Sequence, residues 1–179
     1  MTQSGSPNTS GILLCGHGSR DPATLDEFVN VVNGLRALLP DQDIDYGFLE
    51  LTQPSIAEAL AVMYQRGCRK ISVLPGMLFA AGHVKNDVPS VLNTYAAQNS
   101  VDIRLGRDLG IDTRMVRAAG ERVKEAMAAA DAEHGVVAPQ DTLLVTVGRG
   151  ASDPDANSNV AKVSRLLWEG LGFGWGETA

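Results

Sequence analysis

Three residues combine a reactive side chain with a local context that could expose it. His17 lies in Gly16-His17-Gly18-Ser19-Arg20-Asp21, His83 in Ala80-Ala81-Gly82-His83-Val84-Lys85-Asn86-Asp87, and Glu50 in Phe48-Leu49-Glu50-Leu51-Thr52-Gln53-Pro54. Neutral imidazole suits borderline metals such as cobalt, nickel, iron and zinc, and a carboxylate adds compensating charge. Three protein ligands leave coordination positions open, as a site that transfers or activates a metal requires. Imidazole also titrates near neutral pH and can take up protons. Each residue has a plainer reading: an incidental histidine in a tight turn, or a surface glutamate near a bend. His134, beside Gly135 at the end of an alanine-rich stretch, suits a helix C-terminus better than a metal.

Neighbouring residues supply candidate ligand contacts. Glycines at 16 and 18 allow a sharp turn, and a helix N-terminus after it offers N–H groups to an anion. Ser19, Arg20 and Lys85 are further donors. Met77, Leu78 and Phe79 form an apolar loop that either packs into the core or covers a flat hydrophobic ligand.

Positioning these residues requires elements that end near one another. Aliphatic runs at 11–15, 44–49, 70–74, 101–105 and 142–147 read as strands. Helical periodicity predicts helices over 24–39, 55–66, 84–98 (irregular near Pro89), 114–133 and 155–168. Strands separated by helices of this length form βαβ units, hence an α/β fold with a parallel sheet covered on both faces. Functional residues of such sheets gather at the carboxyl ends of the strands. His17, Glu50 and His83 follow the first three strands in order.

Composition narrows the function classes. The 179 residues are 44% hydrophobic and carry a formal net charge of −6. This balance disfavours general binding to nucleic acid or to an anionic membrane. No window reaches the roughly 20 apolar residues of a membrane span, and the polar N-terminus lacks the pattern of a signal peptide. A cytoplasmic location is expected. Cys15 and Cys68 read as ordinary buried thiols. There is no P-loop lysine motif, no GxGxxG after the first strand and no GxSxG elbow.

The chain also echoes itself. Gly148-Arg149-Gly150-Ala151-Ser152-Asp153-Pro154 parallels Gly16-His17-Gly18-Ser19-Arg20-Asp21-Pro22, each after an aliphatic strand. Gly174-Trp175-Gly176-Glu177 resembles Gly47-Phe48-Leu49-Glu50. Duplication explains this better than chance. The expected organisation is a flexible N-terminus at 1–10, an α/β domain at 11–138 and a partial second repeat at 139–179.

Leu14-Cys15-Gly16-His17-Gly18-Ser19-Arg20 and Gly82-His83-Val84-Lys85-Asn86-Asp87-Val88-Pro89 resemble the class II chelatases of the sirohydrochlorin cobaltochelatase (CbiX-like) type. The resemblance implies a flavodoxin-like or Rossmann-like three-layer chelatase domain followed by the start of a similar one. It implies insertion of a divalent metal into sirohydrochlorin on the route to cobalamin, with Co²⁺ ahead of Ni²⁺ or Fe²⁺ and no organic cofactor. His17 and His83 match the family's metal-site histidines and Glu50 its assisting carboxylate. Two similar domains facing across a cleft imply a homodimer or pairing with a second chelatase domain. Two other classes stay open: a metal or tetrapyrrole carrier without turnover, and an assembly domain that works only with a partner chain.

Overall fold

A computed structural model of the chain describes residues 9–179. The described residues divide into two compact units, 9–108 and 109–179. The sequence boundary at 138/139 falls later, because the long helix after the fourth strand clusters with the second unit. Of the N-terminal segment expected to be flexible, residues 1–8 lie outside the described residues. Thr9 and Ser10 are the start of a strand: Thr9 pairs with Cys68 and Ser10 with Lys70.

The first unit runs β1 (Thr9–Gly16), α1 (Pro22–Leu38), β2 (Asp43–Phe48), α2 (Ile56–Gln65), β3 (Cys68–Pro75), α3 (Val88–Asn99) and β4 (Asp102–Leu105). The strands form one parallel sheet in the order β2-β1-β3-β4. Side chains alternate across β1 with the strand period of two. Leu13 and Cys15 point into a cluster with Ile56, Leu60, Met63, Ile71, Val73, Val88 and Leu92, on the side of α2 and α3. Leu14 points to the other face, where Val32 and Ile44 are joined by Ile12, Phe28 and Leu35. Helices therefore cover both faces, as the βαβ pattern requires.

The helix ends follow ordinary capping chemistry. Asp21 accepts the Ala23 N–H at the start of α1, just before Pro22. Ser55 and Glu58 form a reciprocal capping box at α2.

The second unit contains α4 (Thr113–His134), β5 (Leu143–Thr146), α5 (Pro154–Leu171) and β6 (Trp175–Thr178). Gly120 of α4 faces Leu167 and Leu171 of α5. β5 and β6 pair in parallel, as β1 and β2 do. Asp153 caps α5 before Pro154 as Asp21 caps α1, and Gly150 shares a positive φ with Gly18. The first echo thus corresponds to a matching strand-loop-helix. The second echo is out of register. Trp175 pairs with Leu143, the counterpart of Gly11, and Gly11 pairs with Asp43. Trp175 therefore takes the place of Asp43 rather than of Phe48, and Glu177 lies within its strand where Glu50 lies beyond one. The glycine-rich end, whose strand character alternation alone does not reveal, is β6.

Candidate metal centre

β1 and β3 are neighbours in the sheet, yet the chain leaves them towards opposite faces. α1 lies on one side, and α3, after β3, on the other. Such a switch point opens a crevice at the carboxyl ends of the two strands. His17 is the first residue after β1, and His83 follows the loop after β3.

The loops are tied together by backbone bonds that extend the ladders past the strand ends. The Leu49 N–H donates to Gly16 O (2.9 Å) and the Glu50 N–H to His17 O (3.0 Å). The Gly76 N–H donates to Cys15 O (2.7 Å), and the Ala80 N–H to the Asp108 carboxylate (2.8 Å). Gly18 is demanded twice over. Its φ is +101°, and a Cβ there would lie 1.9 Å from the Glu50 carbonyl oxygen. Next to Glu50, Leu51 has φ 67° and the Thr52 N–H closes onto Glu50 O at 2.9 Å. This is a γ-turn of the strained, left-handed kind.

These constraints bring the three sequence candidates together. His17 Nε2 lies 3.2 Å from Glu50 Oε1. The His17 and His83 rings meet edge to face, centroids 4.6 Å apart at 82°. One donor atom from each of His17, Glu50 and His83 lies within 4.8 Å of the others. Bonds of about 2.0–2.2 Å to one ion require donors no more than about 4.4 Å apart. A small side-chain rotation closes that difference. The side chains are 31%, 48% and 47% exposed respectively, so the centre is open to an incoming ion.

His17 Nδ1 lies 3.3 Å from Gly18 O while Nε2 faces the Glu50 carboxylate. A neutral imidazole donates to only one of these acceptors. A metal ion between Nε2 and Glu50 would satisfy the other. Cys15, two residues before His17, stays outside this chemistry: burial pushes its thiol up to about 11.

The other expected contacts are less concentrated. Ser19 Oγ accepts the Asp21 N–H at 3.0 Å, committing it partly to the turn. Arg20 and Lys85 are exposed. Met77 packs against the larger core cluster, Leu78 is exposed and Phe79 half-buried. One residue was missed by the sequence reading: the Asp87 carboxylate lies 2.8 Å from His83 Nδ1. Its spacing of four from His83 was the available signal, masked because an acid near a helix start ordinarily reads as a cap.

Residues 11–126 match the CbiX family model. The chain belongs to the CbiX family of class II chelatases. Among curated CbiX relatives, a sirohydrochlorin cobaltochelatase of Priestia megaterium is 31% identical over 174 residues, which is 94% of this chain and 53% of that protein. A sirohydrochlorin ferrochelatase of Bacillus subtilis is 32% identical over 159 residues, 88% of this chain and 58% of the relative. The chain thus spans just over half the length of these relatives. The solved structure of SirB from Bacillus subtilis with Fe³⁺ superposes with a TM-score of 0.82 at 28% identity, covering 96% of this chain and 65% of that one. The α/β chelatase fold expected from the sequence is the fold found.

Proposed function

We propose that this protein inserts Co²⁺ into sirohydrochlorin, with His17, Glu50 and His83 receiving the metal. The observation that carries this reading is the convergence of two imidazoles and one carboxylate at the β1/β3 switch point. The similarity to a sirohydrochlorin cobaltochelatase supports the macrocycle and the metal. Fe²⁺ is the second reading, because a relative of nearly equal identity is a ferrochelatase. Imidazole and carboxylate serve either ion.

Insertion exchanges two pyrrole N–H protons for one divalent ion. As the ion moves from protein to ring nitrogens, the histidines and Glu50 regain free lone pairs beside the macrocycle. They then accept the two protons and pass them to solvent. Ser19, Arg20 and Lys85 are candidate donors to the substrate carboxylates, and Met77, Leu78 and Phe79 candidate apolar contacts to the ring. The domain reading of the sequence belongs to this proposal: residues 139–179 begin a second repeat, in which Arg149 replaces His17. The metal chemistry is then confined to the first repeat, with a homodimer or second chelatase domain closing the cleft.

The test is anaerobic insertion with Co²⁺, Fe²⁺ and Ni²⁺ in parallel, comparing kcat/KM. The proposal expects the highest value for Co²⁺. A higher value for Fe²⁺ replaces it with the ferrochelatase reading, and no acceleration by any metal removes the enzyme reading.

A further inference from the structure

Between the loop after β3 and α3, the backbone makes one wide π-turn over His83–Asp87, closed by the Val88 N–H on His83 O. Pro89, in the first turn of α3, accounts for the widening. It has no N–H to donate, and its ring would crowd the carbonyl four residues earlier, at Lys85. Single π-turns of this kind recur at functional sites.

Asp87 stands at the start of α3, where an aspartate ordinarily caps. Asp21, Asp112 and Asp153 do so at α1, α4 and α5, each accepting backbone N–H groups. Asp87 makes no capping bond: its own backbone is helical. Its carboxylate instead lies 2.8 Å from Nδ1 of His83. An ionised carboxylate only accepts, so Nδ1 is the protonated nitrogen, and in the neutral ring Nε2 keeps its lone pair. The His83 and His17 rings meet edge to face, with centroids 4.6 Å apart.

We infer that Asp87 is a positioning residue: by accepting the Nδ1–H of His83 it holds the tautomer and ring orientation that present Nε2 to the metal. A histidine that binds metal through one nitrogen is commonly oriented through the other, and loss of that partner costs roughly 10–100-fold in affinity. This inference rests on the proposed role of His83 as a ligand, and it concerns how the ligand is made ready. Asp87 lies outside the donor cluster of His17, Glu50 and His83, so its effect is transmitted through the imidazole.

The experiment uses the full chain. Nitrogen-15 NMR of the metal-free protein, at a pH where imidazole is neutral, reads the His83 tautomer in the wild type, Asp87→Ala and Asp87→Asn. Titration with Co²⁺ alone reads affinity. The wild type is expected to hold His83 with Nδ1 protonated. Asp87→Ala should move it towards the Nε2–H form and weaken Co²⁺ binding roughly 10–100-fold. Asp87→Asn keeps an acceptor oxygen and should recover most of both. The Asp87 side chain is 55% exposed, so neither substitution disturbs the core. A wild-type His83 protonated at Nε2, or an Asp87→Ala variant with unchanged tautomer and affinity, overturns the inference. Tight Co²⁺ binding with the expected tautomer but no insertion into sirohydrochlorin would remove the chelatase reading and leave the role of Asp87 standing.

Discussion

The candidate site depends on a few residues whose freedom is already spent. Gly18 is the clearest. Its left-handed φ and the nearby Glu50 carbonyl exclude any side chain, so Gly18→Ala must displace the Glu50 loop. The expected result is a loss of about 1–3 kcal/mol in urea unfolding, together with weaker Co²⁺ binding. Unchanged stability and affinity would show that the loop adapts freely. The reactive types at 17, 50 and 83 were legible because histidine and glutamate stand out among apolar and glycine neighbours. Their contact was not legible, since it depends on which strands are adjacent. Asp87 was hidden by its own position: its spacing of four from His83 was there to read, but an aspartate at a helix start ordinarily reads as a cap.

At the scale of elements, β2 and α2 are locked by charge as well as by apolar packing. Arg66, after α2, donates through Nε and Nη2 to Asp43 at 2.9 and 2.7 Å, and through Nη1 to Asp45 at 2.9 Å. Burial pushes the Asp43 carboxyl up. The bonds from Arg66 and the Cys68 thiol, with the charges of Arg66 and Arg36, outweigh that and hold it below its ordinary 3.8. A carboxyl lowered on folding contributes stability that is complete above its unfolded value and is lost as pH falls through the folded one. Asp43→Asn should therefore be less stable than wild type near neutral pH and converge on it in acid. Unfolding midpoints measured across that range check this; a gap that persists undiminished would contradict it. The helices and the first five strands were readable from periodicity and capping residues. Two features were not. The π-turn at His83–Asp87 reflects what Pro89 forbids rather than any apolar pattern. At β6, Gly174 just before the strand and Gly176 within it gave no alternation to read, and the apparent match to Gly47–Glu50 suggested the wrong register.

Over the whole molecule, the described residues hold two units of unequal size: one with a four-stranded sheet, at 9–108, and one with a two-stranded sheet, at 109–179. His17, Glu50 and His83 all belong to the first, while the matching loop of the second carries Arg149. Among the described residues no helix is long and apolar enough to cross a membrane. The chain spans just over half of the curated relatives compared above, so whether it suffices for turnover is the central question. The direct measurement follows the visible spectrum of sirohydrochlorin with Co²⁺, comparing no protein, the purified chain and the His17→Ala, His83→Ala double variant. The account predicts faster metal insertion with the chain and a return to the protein-free rate with the double variant. Equal acceleration by chain and variant would contradict it.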